Sequence, residues 1–479
     1  MRNLIFLLAA STALSACAVG PDYEPALPQV TPQAELSAAA AGPFTPDAPP
    51  EDWWRLYDDP RLDALVAQAL AENTDLRVAA ANLARSRAVL REVRAGRSIE
   101  TTITAGASYG RESGAALGTD AVLPEGDMYD AGLDVGYQVD LFGRLSRAVE
   151  GSRADAEAVQ AAYDLTRITV VAETVRAFAD ACNAGRRLEV ARRSVEVQEQ
   201  TFDLTRRLLE GGRATAMETS QAGTLLEQTR AEVPTLEALR QTALYRLAVL
   251  TGRPPSEFPR EVESCAAPLQ LDTPIPVGDG AALLSRRPDV RAAERRLAAA
   301  TARIGVATAE LYPSISIGGS VGTTAGSPGD LASSSAFRFS IGPLISWSFP
   351  NMAVARARIE QAEASQQAAL AEFDGAWLNA LRETESALTQ YARGLDRTAA
   401  LRRGTEQARE AARIARLRYD AGRESFQIVL DAERQLATVE ASLAQAQGQL
   451  SNDLISLFLS LGGGWQDIGD QAPEEQPAP

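Results

Sequence analysis

Four segments of the chain alternate between apolar residues and small or polar ones, which is the pattern of strands with two different faces. Two of them lie within residues 98–142 and two within residues 312–349. In the second segment the apolar face consists of Leu133, Val135, Tyr137 and Val139. Segments of about 10 residues with this alternation suit strands that face lipid on one side and water on the other. A soluble antiparallel sheet with one wet face is the alternative.

Two stretches without proline predict very long helices, from Arg144 to about Leu209 and from about Met352 to Tyr419. At 1.5 Å per residue each would reach roughly 100 Å, more than a compact domain needs. A second helical stretch follows each of them. In the last one, apolar residues recur at alternating spacings of three and four, at Leu436, Val439, Leu443, Ala446, Leu450, Leu454, Leu457 and Leu461. This spacing predicts coiled-coil packing against neighbouring helices.

The order helix, strand, strand, long helix, helix occurs twice, which predicts two internal repeats. Repeat 1 spans residues 51–252, with strands at about 98–142 and a helical hairpin at 144–250. Repeat 2 spans 277–464, with strands at about 312–349 and a hairpin at 352–461. The flanking segments are a Pro- and Ala-rich tether at 17–50, a Pro-rich linker at 253–276 and an acidic tail at 465–479 that we expect to be disordered. The predicted fold class is a mixed α+β membrane protein with four β-strands per chain.

Both long helices end at a similar signal, an arginine, then leucine or tyrosine, two further residues and glycine. We expect the glycine to take the left-handed conformation that ends a helix and turns the chain back into a hairpin. A turn requires nothing more, but two similar tips also offer a repeated docking edge for a partner. The residues concerned are Arg207, Leu208, Gly211, Arg418, Tyr419 and Gly422.

Four strands are too few to close a barrel, and an open sheet edge is not tolerated in lipid. Single-chain barrels begin at eight strands, so several chains must contribute. Two chains would supply eight strands, whose interior is filled by side chains, and three would supply twelve, which leaves a channel. Small residues on the polar faces suit an open lumen, among them Gly106, Ser108, Ser316 and Gly318. The sequence therefore predicts a trimer with a 12-stranded β-barrel.

Composition excludes several functions. The net charge of −16 argues against nucleic acid, and the absence of histidine removes the commonest general base and metal ligand. We therefore expect no enzyme activity, no cofactor and no metal. Cys182 and Cys265 are too few for a zinc site. In an oxidising compartment we expect them to form a disulfide, with two unrelated buried thiols as the alternative.

The N-terminus resembles a bacterial lipoprotein signal. Arg2 precedes an apolar run from Leu4 to Ala13, and small residues then lead to Cys17. The resemblance implies a signal peptide at 1–16 that is cleaved before Cys17, whose thiol carries lipid. An ordinary secretory signal with an incidental cysteine is the alternative. Ala18 stands where an aspartate would resemble an inner-membrane retention signal, so the outer membrane is favoured.

The mature chain resembles the TolC-like outer-membrane efflux family, in its NodT-like lipoprotein branch. The residues that carry the resemblance are Cys17, Gly20-Pro21-Asp22-Tyr23, Trp53-Trp54, Arg287-Pro288-Asp289-Val290-Arg291, Leu311-Tyr312-Pro313 and Leu461-Gly462-Gly463-Gly464-Trp465. The resemblance implies a homotrimer with a 12-stranded barrel in outer-membrane lipid and a periplasmic α-barrel. It also implies a periplasmic adaptor (membrane fusion) protein and an inner-membrane pump of RND type as partners, and export of small molecules such as drugs. A duct for type I protein secretion and a lipid-anchored periplasmic coiled-coil adaptor are the alternatives.

The same resemblance implies a narrow periplasmic gate just after the second hairpin tip. The matching run is Val429-Leu430-Asp431-Ala432-Glu433-Arg434, in which Asp431 would line the constriction and Arg434 would pair with it or with a neighbouring chain. Glu218 is the first-copy candidate. Taken without the family, Asp431 and Arg434 are three apart on a helix and form a solvated ion pair of little energetic weight.

Overall fold

The computed structural model describes residues 18–25, 36–111, 124–271, 273–278, 286–349 and 352–462, together with 113, 115, 118 and 120–122. In these residues the helices are α1 (Pro60–Glu72), α2 (Thr74–Ala95), α3 (Arg144–Glu210), α4 (Ala216–Leu250), α5 (Arg260–Glu263), α6 (Pro288–Ala309), α7 (Met352–Asp420) and α8 (Phe426–Ser460). The strands are β1 (Phe44–Thr45), β2 (Glu100–Gly110), β3 (Gly126–Val139), β4 (Ile275–Pro276), β5 (Ser314–Ala325) and β6 (Phe337–Ser346). The predicted order of elements therefore occurs twice, as α2-β2-β3-α3-α4 and α6-β5-β6-α7-α8.

The chain forms two compact units, and each takes residues from three stretches of the sequence. The first contains the described residues within Met1–Leu27, Asn82–Gln160 and Ala292–Asp374. The second contains those within Pro28–Ala81, Ala161–Arg291 and Gly375–Pro479. The signal at 1–16, the predicted lipidation residue Cys17 and the tail at 465–479 lie outside the described residues.

A four-stranded antiparallel sheet is the centre of the first unit, and its order is β2-β3-β5-β6. The pairing of β3 with β5 joins the two repeats in one sheet. The register places like residues in rows across all four strands. One row is Ile103, Leu133, Val321 and Phe339, and a row on the other face is Thr102, Asp134, Ser320 and Ser340. The predicted alternation thus gives the sheet one apolar face and one small or polar face.

The apolar face of the sheet is uncovered in a single chain. Ile103 and Ile341 are each 83% exposed, and Phe339 is 74% exposed. Among the described strands, β2 and β6 each pair with one neighbour only, so the sheet has two open edges. Exposed apolar surface of this extent marks a face that is covered by something outside the chain.

The second unit has a large apolar core at which distant parts of the sequence meet. Trp53 is fully buried and stacks on Phe458, with ring centroids 4.8 Å apart. Cys182 and Cys265 lie in the same cluster and form a disulfide. The Pro-rich linker contributes to this core through its buried residues, which include Val262, Leu269 and Ile275.

The prediction that residues 17–50 form an extended tether is wrong for the described residues of that segment. A 3-10 helix occupies Ser37–Ala41, and the backbone N–H groups of Ser37 and Ala38 donate to the Glu385 carboxylate at 2.7 and 2.9 Å. Further on, β1 pairs in parallel with β4. Leu36 and Phe44 are apolar residues among the prolines, and they pack on the core of the second unit. The Pro- and Ala-rich composition of the segment did not predict these two contacts with the second unit.

Among the residues that the structure describes, no helix combines the length and the apolar character that crossing a membrane requires.

The apolar positions that recur along α8 differ in burial. Those from Ala446 onward are fully buried, whereas Leu436, Val439 and Leu443 are only half-buried within one chain.

Candidate functional site

The two hairpin turns of the second unit share one backbone geometry. At the end of α3, the N–H of Gly212 donates to the carbonyl of Leu209 at 2.9 Å, and that of Arg213 to Leu208 at 2.7 Å. At the end of α7, Gly422 donates to Tyr419 and Arg423 to Arg418, both at 2.8 Å. Gly212 and Gly422 have φ angles of 68° and 67°. Both helices therefore end in a Schellman motif, with a left-handed glycine just beyond the last turn.

This geometry corrects the predicted alignment of the tips by one residue. The left-handed residue of the first turn is Gly212, and Gly211 keeps a negative φ. The next helices confirm the register, because α4 begins at Ala216 and α8 at Phe426, 210 positions later, and both contain 35 residues. Arg418 is thus the counterpart of Leu208. The sequence motif gave the wrong alignment because two glycines, Gly211 and Gly212, are adjacent in the first turn and the motif used the first of them.

The same register removes Glu218 as the first-copy gate residue. Its carboxylate accepts hydrogen bonds from the N–H of Thr215 at 2.7 Å and from the Thr215 hydroxyl at 3.0 Å. The Thr215 hydroxyl oxygen in turn accepts from the Glu218 N–H, which completes a capping box at the start of α4. The position that corresponds to Asp431 is Gln221.

Asp431 and Arg434 lie together on the exposed side of α8, within one turn. Arg434 Nη1 is 3.5 Å from Asp431 Oδ1, and about half of each side chain is exposed. Gln427 Nε2 also donates to Asp431, at 3.3 Å. The first-copy counterparts, Gln221 and Thr224, are neutral. The charged pair therefore exists in the second copy only.

Between these two residues, the structure reveals a buried carboxylate that the sequence did not indicate. The Glu433 side chain is 5% exposed and forms an ion pair with Arg416 of α7. Its other oxygen accepts a hydrogen bond from the Thr201 hydroxyl of α3 at 3.1 Å. Burial raises the pKa of Glu433, although the nearby Arg416 acts in the opposite direction. One carboxylate thus connects three helices just behind the exposed pair.

A small apolar cluster lies between the two hairpins, close to the turns. It contains the buried side chains of Ala222, Leu225, Phe426 and Leu430, with Phe202 and Tyr419 packed against them. Each turn also presents large apolar side chains to solvent. Met217 and Leu209 are 66% and 36% exposed at the first turn, and Leu417 and Ile428 are 55% and 46% exposed at the second.

No group of acidic, histidine or cysteine side chains arranged to hold a metal ion occurs in the part of the chain that the structure describes.

Comparison with known proteins gives consistent matches over almost the whole chain. The family model described as outer membrane efflux protein matches residues 65–253 and 281–463, one stretch in each repeat. Nodulation protein T of Rhizobium leguminosarum bv. viciae is 29% identical over 466 residues, which cover 96% of this chain and 94% of that protein. Outer membrane protein OprJ of Pseudomonas aeruginosa is 30% identical over 465 residues, or 95% of this chain and 94% of that protein.

Solved structures agree with these sequence matches. A structure of the outer-membrane channel OprN has a TM-score of 0.88 to this chain and is 38% identical in sequence. The match covers 94% of this chain and all of that one.

Proposed function

This chain belongs to the outer membrane efflux protein family, and we propose that three copies of it form the exit duct of a tripartite efflux pump. The family consists of outer-membrane channel proteins that extend into the periplasm, so the chain is not an enzyme. In the proposed trimer, three sheets close into a 12-stranded barrel, and the long helices continue as an α-barrel in the periplasm. Small molecules such as drugs leave through it passively, and Cys17 carries the lipid anchor.

The observation that carries the proposal is the four-stranded sheet. Its exposed apolar face suits lipid and its small or polar face suits a water-filled lumen. Its edges at β2 and β6 lack partners among the described strands, and unpaired edges are not tolerated in a bilayer. Three sheets placed edge to edge satisfy both requirements and leave a channel, whereas two would leave a filled interior.

We propose the hairpin turns as the docking edge for a periplasmic adaptor, which joins the duct to an inner-membrane pump of RND type. The exposed apolar side chains at each turn provide contact surface, and exposed arginines, Arg207 and Arg418, lie close to them in the sequence. The shared backbone of the turns gives six similar docking positions in a trimer, two from each chain.

We propose that Asp431 and Arg434 form the periplasmic gate. Both side chains are exposed on α8, so neither is committed to the core of its own chain. Three symmetry-related aspartates at a constriction would repel anions and favour cations.

The oligomer and the pore can be tested together on purified protein. We expect a trimer by mass measurement in detergent and a cation-preferring conductance in planar bilayers. A monomer without conductance would contradict the proposal and would favour the alternative of a lipid-anchored periplasmic adaptor.

The gate has its own test. Replacing both gate residues, as Asp431→Ala with Arg434→Ala, should raise the conductance of the trimer, because the side chains that narrow the opening are removed. The matched control is Gln221→Ala with Thr224→Ala at the equivalent first-copy positions. Equal conductance of the double variant and the unchanged protein would remove these two residues from the gate and leave the duct itself in place.

A further inference from the structure

The segment Ala18–Tyr23, here called the N-terminal strap, is bound to the first unit although composition predicts a free tether. The N–H of Val19 donates to the carbonyl of Phe142 at 3.2 Å. At the other end, the Tyr23 hydroxyl donates to Glu294 of α6 at 2.9 Å. The Tyr23 ring packs against alanines of α3 and α6, namely Ala154, Ala298 and Ala299.

Arg147, in the first turn of α3, holds the middle of the strap. Its side chain is 7% exposed, and Nη2 lies 2.6 Å from the Asp22 carboxylate. The guanidinium also donates to the carbonyls of Val19 and Gly20, each at 3.4 Å, and to Glu150 at 2.8 Å. A buried charge is costly unless its partners are present. Three of these four acceptors belong to the strap, so the Arg147 guanidinium has its full set of partners only when the strap is bound.

The strap is seated so closely that only glycine fits at the contact. Gly20 has a φ of 93°, and a Cβ there would come within 2.5 Å of the Gly305 Cα. A Cβ on Gly305 would in turn lie 2.7 Å from Arg147 Cγ. The motif Gly20-Pro21-Asp22-Tyr23 therefore has a structural reason, since its glycine, aspartate and tyrosine each make a specific contact.

The strap binds at one end of the sheet. Phe142 lies between β3 and α3, and its ring stacks on Tyr312, just before β5, with centroids 4.5 Å apart. Trp347, just after β6, is half exposed and donates to the carbonyl of Leu311 at 3.2 Å. Aromatic residues at strand ends are typical of the level at which a barrel passes from lipid to water.

We propose that the N-terminal strap is the docking element of the lipid anchor: it fixes the acylated residue at the sheet's membrane-interface end. Cys17 directly precedes Ala18 in the sequence, and consecutive Cα atoms are 3.8 Å apart, so in this proposal the acylated residue would lie within about 8 Å of Val19. The acyl chains then enter the bilayer beside the sheet that must insert there. This inference rests on the proposed function, because it takes Cys17 as acylated and the sheet as membrane-inserted.

The first experiment moves the anchor without disturbing a strap contact. A six-residue Gly/Ser spacer between Cys17 and Ala18 adds a reach of up to roughly 20 Å. We expect normal acylation by mass spectrometry but a several-fold loss of outer-membrane trimer, down to the level of an unlipidated chain exported with another cleavable signal. The same spacer after Pro25 is the control and should leave the yield unchanged. Full trimer yield with the first spacer would overturn the proposal.

The second experiment separates positioning from simple stabilisation. Asp22→Ala with Tyr23→Ala should lower the trimer yield several-fold in the lipidated chain and much less in the unlipidated one, where only the contacts of the strap with Arg147 and α6 are lost. Arg303→Met, which breaks an exposed ion pair with Asp155 in the same unit, is the control and should change neither. Equal losses in both backgrounds would reduce the strap to a packing element and overturn the proposal. If the unchanged chain carries no acyl group, or forms no trimer, the proposed function fails instead.

Discussion

The turn between α3 and α4 and the turn between α7 and α8 end with the same hydrogen bonds and the same left-handed glycine. The helices that follow have equal lengths, and yet the side chains along them differ. Where the second copy carries Asp431, Glu433 and Arg434, the first has Gln221, Gly223 and Thr224. The first copy instead places its carboxylate, Glu218, in a capping box at the start of its helix.

This difference shows that the backbone of a turn and its chemistry are set separately. A Schellman motif needs one glycine and carbonyl acceptors, which any residue provides. Side chains one turn further on are then free to diverge. In the proposed trimer, six turns would share a backbone while only three carry the Asp431–Arg434 pair, so the gate would have threefold symmetry although the turns repeat six times.

The largest effect that we expect comes from Arg416→Met. It leaves the buried Glu433 carboxylate without its ion-pair partner, and we expect a loss of about 3 kcal/mol. This is the low end for such a change, because Arg416 itself is 45% exposed and solvent screens it. The matched control is Arg206→Met, whose arginine pairs with Asp203 in an exposed position at 3.5 Å. Thermal unfolding in detergent measures both, and equal destabilisation would contradict the asymmetry of the turns.

Glu433 also predicts a pH dependence. Burial raises its pKa above the ordinary value of 4.5, so the folded protein binds this proton more tightly than the unfolded chain does. Its contribution to stability is present below that ordinary value and is lost as the pH rises through the raised pKa. The stability of Glu433→Gln relative to the unchanged protein should therefore increase as the pH rises from 4.5. A flat difference for Glu433→Gln would place the carboxylate in a solvated environment.

The second largest effect tests what the turns share. Gly212→Ala and Gly422→Ala should each cost about 1–2 kcal/mol, because a Cβ is strained at positive φ. No neighbouring atom would meet either Cβ within 4 Å, so the backbone alone sets the cost and the two losses should be equal. Gly211→Ala, at a residue with negative φ, is the control for both. Thermal unfolding that shows Gly211→Ala as the costly change would restore the alignment taken from the sequence.

The strands were the part of the fold that the sequence predicted best, because alternation is local and the observed rows preserve it. Ile103, Leu133 and Phe339 fall on one face by counting alone. The disulfide partners could also be predicted, since only two cysteines remain after Cys17. Long helices followed from the absence of proline.

Glu433 could not be found in the same way. It lies between the exposed residues Asp431 and Arg434, and although position 433 continues the apolar spacing from Leu430 to Leu436, a glutamate there does not by itself predict burial. Its burial depends on where α3 and α7 place Thr201 and Arg416, which are 232 and 17 residues away in the sequence. Contacts at such separations have no local period, so a single sequence does not predict them.

A smaller effect separates the two helix starts. Thr215→Ala removes the capping box of α4 and should cost about 1 kcal/mol. Ser425 occupies the equivalent position before α8, but its side chain makes no capping hydrogen bond, so Ser425→Ala should be close to neutral. The unfolding midpoints of the two variants decide this point. A cost at Ser425 as large as at Thr215 would show that both starts are capped alike.

The smallest effect on stability, and the most informative for function, concerns the missing charge in the first copy. Gln221→Asp places a carboxylate at the position equivalent to Asp431, where the side chain is half-buried, and we expect a change in stability of about 0.5 kcal/mol. If the gate is a ring of carboxylates, this change should increase the cation preference of the pore in bilayer recordings, while Asp431→Asn should decrease it. Gln221→Asn keeps the position neutral and serves as control. Because the unfolding midpoint should stay constant across all three variants, any change in selectivity reports on the lumen and not on the fold. If both charge variants leave the selectivity unchanged, Asp431 does not line the gate, and the difference between the two turns concerns only the packing around Glu433.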